Sequence, residues 1–301
     1  MKKIVLSGIL ALSTQAYALV DYSSPVQADA PKAKPNSAPS KMASAGPSSI
    51  SMEKFFSLNT GIEKLKVNYG GQTNKVSLYS LGGHFQTPYN IYMDASFWGA
   101  SAADSKITDK NKTQMGNPTM KLGFNWLTLG NASELATFDF TAGMMFAGPK
   151  SSDFSSSRTD AMVGVELTKR FSDFALLLGY EYRFAGKTKI SEETPVGNIQ
   201  KIMASLGWKI SNDIRFALEG TMYRVGQNKL NTPNAGLSEN ISFASLSPKL
   251  SLGLASSVDL ELGALYRTRS VSLKDDIVDA RLWDLKGLYG NSIFANLVLS
   301  L

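Results

Sequence analysis

The chain of 301 residues has no cysteine and one histidine, His84. The first absence removes a disulfide framework, thiol catalysis and thiolate metal sites together, and it suits passage through an oxidising compartment. The second removes any imidazole pair for a transition metal. His84 stands in Gly82-Gly83-His84-Phe85-Gln86, with no serine two positions on. A general base needs a nucleophile within reach, so His84 reads as a polar residue beside a turn. The chain is not expected to be an enzyme. No glycine-rich phosphate loop occurs between a strand and a helix. The acidic pairs Glu192-Glu193 and Asp275-Asp276 fall in polar loops and are expected to be solvated. No cofactor and no metal is expected.

Long hydrophobic runs are missing too. Every apolar stretch beyond the N-terminus is broken within about ten positions, whereas a membrane-spanning helix needs about 20 residues. A strong excess of one charge is also lacking. The 31 Lys and Arg against 25 Asp and Glu leave +6, which does not point to nucleic acid but is compatible with anionic outer-membrane lipid and lipopolysaccharide.

What is present starts with an export signal. Lys2 and Lys3 precede an apolar run from Ile4 to Leu12 and a small-x-small ending at Ala16-Tyr17-Ala18, the tripartite pattern of a cleaved signal peptide over 1–18. Residues 19–50 follow, rich in Pro, Ala, Ser and Lys, a composition that buries no core and reads as a disordered linker. Residues 51–61, with Met52, Phe55, Phe56 and Leu58, read as a lead-in that packs on a rim or as a plug segment.

From residue 62 to 301 one pattern repeats. Segments of about ten residues alternate apolar and polar, as strands with one face on lipid and one inside do. Phe174, Leu176, Leu178, Tyr180 and Tyr182 oppose Ala175, Leu177, Gly179, Glu181 and Arg183. Strands are predicted near 62–69, 75–83, 89–98, 117–129, 134–146, 160–170, 173–185, 197–210, 213–225, 240–254, 257–270 and 291–301. Short turns and long polar loops alternate between them. The fold expected is all-β: a transmembrane antiparallel up-and-down β-barrel of about 12 strands in the outer membrane, with both termini periplasmic. Pro248 falls inside a predicted strand, and because proline cannot donate to the ladder a bulge is expected there.

Side-chain parity puts a set of charges inside: Asp139, Glu166, Arg170, Glu181, Arg183, Arg215, Glu219, Asp259, Glu261, Arg267 and Arg269, with Lys201 and Lys209. An Arg or Lys facing lipid at mid-depth costs about 2–4 kcal/mol, so the register is constrained. These charges either line a water-filled path or form salt bridges that fill a narrow barrel. Ile277, Val278, Arg281, Leu282 and Leu285 recur at helical spacing. Residues 275–286 are therefore a short amphipathic helix that folds into the mouth or caps the rim.

Met115-Gly116-Asn117-Pro118-Thr119-Met120-Lys121-Leu122-Gly123 opens the fourth predicted strand. It resembles the Gly-Asp-Pro-x-hydrophobic strand opening of the transporter-like barrels named for the meta-pathway of phenol degradation, with Asn117 where that family has Asp. The resemblance implies an outer-membrane barrel associated with uptake of small, often apolar compounds. The function expected is passage of small solutes, the alternative being a closed barrel that displays its loops to a partner. The last strand, with Ile293, Ala295, Leu297, Leu299 and Leu301 on one face, is the segment expected to engage barrel-assembly machinery during biogenesis. It ends in Leu where an aromatic is usual.

Overall fold

The structure is a computed structural model and describes residues 56–300 apart from 88, 103–106, 109–111, 131–133 and 229–235. The expected signal peptide, linker and the start of the 51–61 segment lie outside the described residues, as does Leu301. The strands are β1 (Phe56–Tyr69), β2 (Gln72–Gln86), β3 (Ile91–Ala102), β4 (Gln114–Met115), β5 (Thr119–Leu129), β6 (Ala136–Met145) and β7 (Asp160–Phe171). They continue with β8 (Phe174–Phe184), β9 (Ile199–Lys209), β10 (Ile214–Val225), β11 (Ile241–Ala255), β12 (Val258–Arg269) and β13 (Gly290–Ser300). One short helix, α1 (Asp275–Asp279), precedes β13. No helix of the described residues is long and apolar enough to cross a membrane.

All strands join one antiparallel sheet, and it closes on itself. β1 pairs with β13 and with β2, and β2 pairs with β3, which pairs onward with β5. Closure removes every free edge of the sheet. The ring holds twelve strands, and the two-residue β4 is an addition beside it. β4 pairs with β3 at Gly99 and Ala100, and β5 takes over at Ser96. The break between them is Gly116-Asn117-Pro118, where proline has no N–H to offer the ladder. Asn117 repairs the gap: its side-chain amide donates to Phe146 O and Ser156 O, both at 2.8 Å, and its Oδ1 accepts Ser156 N at 2.7 Å.

The outward wall is apolar and exposed. Leu122, Phe124, Phe140, Leu178, Ile202, Leu206 and Leu262 all present large side chains to the surroundings. A soluble monomer does not leave such a continuous belt in water; a membrane barrel turns it to lipid. Aromatic groups gather near the strand ends, as at a membrane interface. Trp126 meets Phe138 and Phe140 at one end, Phe174 stacks on Trp208 at 5.8 Å, and Tyr182 meets Phe184 at the other.

The strands differ from expectation in three places. β1 reaches back to Phe56, so residues 56–61 are wall rather than lead-in or plug. Pro248 lies opposite Leu218 without any register shift. The ladder from β11 to β12 passes over Ser247 and Pro248 and resumes in register, with Ser247 Oγ donating to Ala264 O at 3.0 Å across the gap. The missing N–H is absorbed without a bulge. Shifts occur instead at Ala244/Ser245 and Gly253/Ala255, and at Asn125/Leu127 between β5 and β6. The third difference is the first hairpin, closed by Gly70 and Gly71, both in the left-handed region at φ 63° and 74°. It lies at the end where the other connections are long.

Candidate functional site

The interior is layered. At the end carrying the long connections, called here the loop end, inward residues of the wall are apolar: Leu65, Val67, Val76, Trp98, Ala100, Tyr223, Val225 and Phe243. The segment between β12 and β13 packs among them. Leu282, Leu285 and Leu288 are fully buried, with Ile277, Trp283 and Tyr289 close behind. Trp283 stacks on Tyr289 at 3.9 Å and meets Phe154 edge-on at 5.0 Å. The amphipathic segment is therefore shorter as a helix than its spacing suggests, because only Asp275–Asp279 are helical. Of the two expected placements, it takes the one inside the mouth.

Polar contacts hold this segment. Tyr289 Oη donates to Ile277 O at 3.1 Å and accepts Leu282 N at 3.0 Å, and burial pushes its phenol well above the usual range. Asp284 pairs with Arg183 of β8 at 2.5 Å. Arg281 donates to Ser152 O at 2.8 Å, and Arg158 reaches Ala280 O at 3.3 Å. Arg158 is fully buried and also holds Asp160 at 3.1 Å and Glu193 at 3.6 Å. Glu193 was expected to be solvated; it is buried instead, because it answers Arg158 and accepts Ser157 N at 2.7 Å. Asp275 and Asp276 likewise serve as ties, to Tyr69 Oη at 2.9 Å and Ser238 Oγ at 2.8 Å.

A belt of charge starts within this layer, where Lys201 shares a rung with Tyr223, and runs on towards the tight turns. Glu181 pairs with Lys121 and sits on one rung with Lys201; Glu219 pairs with Lys249 at 2.6 Å. Glu261 accepts the Asn296 amide at 3.3 Å. Asp139 accepts Asn125 at 2.7 Å and faces Glu166 across one rung of β6 and β7. Nearer the end of tight turns, Arg215 is 3.9 Å from Asp259, and Arg170 is buried with its backbone N–H on Leu135 O at 2.7 Å. His84 also lies towards this end, its Nδ1 2.6 Å from Asp94 Oδ1.

Two members of the sequence-derived set fall outside this belt. Arg267 pairs on its rung with Ser245 while Arg269 pairs with Ala244, so Thr268 is an extra residue in the ladder. The bulge turns Arg269 out, and it is exposed. Arg267 donates to Val271 O at 2.9 Å at the root of the loop, away from the ion pairs. Lys121 and Lys249 were absent from the sequence-derived set, although parity with Gly123 and with Ser247 and Ser251 carries them. Asp284, in a loop, had no periodic signal to reveal it. A cavity of about 40 Å³ lies where belt and loop meet, lined among others by Glu63, Trp98, Trp283, Lys286, Phe294 and Asn296. Among the described residues no cluster of His, Cys, Asp or Glu is arranged to hold a metal ion.

These features define a class: a closed transmembrane β-barrel with a charged interior and a loop folded into its mouth. Among solved structures the chain is similar to the NanC porin, at 13% identity over 82% of this chain and 100% of that one, with a TM-score of 0.50, a likeness of fold. It also matches OprD from Pseudomonas aeruginosa at 12% identity, covering 82% of this chain and 66% of that one at a TM-score of 0.41. Outer membrane phospholipase A from Escherichia coli matches at 13% identity, with 81% and 92% covered and a TM-score of 0.42. No protein-family model matches the chain, and no curated protein matches its sequence.

Proposed function

We propose that the protein is an outer-membrane channel for small solutes, exported by a signal over residues 1–18, with its chain ends in the periplasm and its long loops outside. The observation that carries this reading is the contrast between the two faces of the wall. The outer face is mainly apolar, while the inner face keeps Lys121, Glu181, Lys201, Glu219, Lys249 and Glu261. Charged walls of both signs are a means of drawing hydrated solutes through a pore. The inserted loop makes the passage narrow. The cavity beneath it adds Leu65, Leu78, Trp98, Trp283 and Phe294 to that path, which supports solutes with an apolar part and agrees with the resemblance in Met115–Gly123. No catalytic step is assigned, and lipase and protease assays beside a His84→Ala variant are expected to find no activity.

Planar-bilayer recording of the full chain tests the channel reading. Discrete conductance steps are expected, and none from protein whose β-sheet circular dichroism is intact would sink it. A second reading has a specific observation behind it. The apolar packing of residues 277–289 with the wall closes the mouth as a soluble core would, as in a barrel built to display its loops. Replacing residues 275–288 by a short Gly-Ser bridge separates the two. Conductance that rises by several-fold supports a channel, whereas silence before and after supports display.

A further inference from the structure

The outward wall is mainly apolar; Lys169, Arg224 and Arg269 stand on it singly, on three different strands, whereas the first hairpin gathers three cations. Lys64 and Lys66 on β1 and Lys75 on β2 alternate with the buried Leu65, Val67 and Val76, so their side chains face out, and all three are exposed. Lys66 lies directly opposite Lys75 on one rung, and Lys64 is two residues along the same face, opposite Ser77. Like charges on one rung repel. None of the three forms an ion pair among the described residues. Lys66 and Lys75 each stand three residues from the loop end of their strands. The outward residues at that distance on β7, β9 and β10 are Val163, Ile202 and Met222.

We propose that this face binds the phosphate of a lipid headgroup in the outer leaflet, the phosphorylated glycolipid of the bacterial surface. Neighbours on a rung are about 5 Å apart and next-but-one residues about 7 Å, so three ammonium groups converge on one phosphate and their repulsion becomes attraction. The rung below is Ile62 with Tyr79, and the next outward pair down is Leu81 with Phe97 of β3. Acyl chains thus meet apolar wall while the headgroup meets lysine at the interface, where a charge costs only about 0–1 kcal/mol. Asn68, Thr73 and the outward Asn291, opposite Lys66, add hydrogen-bonding groups around the site. Access is open because the hairpin is closed by two glycines. The site rests on placement in the outer membrane and is independent of whether the barrel conducts.

The test is native mass spectrometry of the full chain in detergent, titrated with bisphosphorylated lipid A and with lipid A stripped of both phosphates. The wild type is expected to retain the phosphorylated lipid. Substituting Lys64, Lys66 and Lys75 all by Gln is expected to weaken retention roughly 100-fold, at about fivefold for each ammonium near a charged leaflet. Loss of the phosphates is expected to match it. The variants K66Q and K75Q, each expected at about fivefold, keep the test readable if the triple variant does not fold. Substituting the exposed loop lysines Lys150, Lys187 and Lys189 by Gln applies the same change of net charge elsewhere and is expected to leave retention intact. Equal retention of both lipids, or an equal loss in the loop variant, overturns the proposal. Complete displacement of the lipid by millimolar inorganic phosphate also overturns it, leaving an anion site with no lipid specificity.

Discussion

Aromatic rings lie over glycines at a few places in the wall. Tyr92 lies across its rung partner Gly123, and Phe294 across Gly263, so closely that a Cβ at either glycine would overlap the ring. Covering a strand glycine with an aromatic restores the packing that the glycine lacks. Gly123→Val is therefore expected to lower stability by about 1–3 kcal/mol through overpacking, read as a lower urea midpoint. Tyr92→Ala in the same chain should recover part of it. The loop contact makes a second prediction at this scale. Asp284→Ala leaves the Arg183 guanidinium without its carboxylate, a loss of about 3 kcal/mol or more for a buried pair. Trypsin is then expected to cut after Arg281 and Lys286, sites that stay protected in the wild type; unchanged protection would remove the latch role of this pair. Residue by residue, parity read from Phe174 or Ile214 carried the inward face of β8 and β10, because a period of two leaves each side chain one choice of face. It failed at Arg269 because one bulge reverses the alternation beyond it, and a bulge at Thr268 leaves no mark in composition.

Elements were more legible than their ends. Every expected strand exists, since lipid on one side and polar contacts on the other impose alternation on each. The starts were less so: β1 begins at Phe56, where Phe56-Ser57-Leu58-Asn59 already alternates but reads as an apolar patch beside the preceding segment. The fate of residues 275–289 was not legible at all. Their spacing gives an amphipathic face, but whether that face meets a rim or a mouth depends on Leu65, Trp98 and Phe243, which are distant in sequence. The segment also carries a pH dependence. Burial first, and then the neighbouring Asp275 and Asp276 carboxylates, hold the Asp279 carboxyl above its ordinary value. A raised folded pKa means that its contribution is fully present below the unfolded value and is lost as pH rises through the folded one. Acidification through the carboxylate range should therefore tighten this turn as far as Asp279 is concerned. Asp279→Asn, fixed in the neutral state, is expected to slow proteolysis of the loop at pH 7 and to make its rate less dependent on pH. A rate at pH 7 equal to or faster than wild type would contradict this.

For the molecule as a whole, the start of β1 sets how much of the N-terminal extension can be removed. Truncation at residue 61 would remove part of β1 and its pairing with both β2 and β13, so a deletion that spares the barrel ends at residue 55. Ion selectivity then reports on the whole wall. Around the belt, Asp139, Glu166, Glu181, Glu219 and Glu261 face Lys121, Lys201 and Lys249, with Lys286 reaching in from the loop close enough to act on Glu219 and Glu261. Opposed signs at short range cancel beyond their own separation, so the field along the path is weak and leans negative. With a tenfold KCl gradient, the reversal potential is expected to be small and of the sign for cations. It should shrink further at about 1 M salt, where the screening length falls to about 3 Å. Lys249→Gln removes the cation that answers Glu219 and should move the reversal potential towards cations, whereas Glu219→Gln should move it the other way. A strongly anion-selective wild type would mean that ions do not pass along this belt, and the path would have to be sought elsewhere in the barrel.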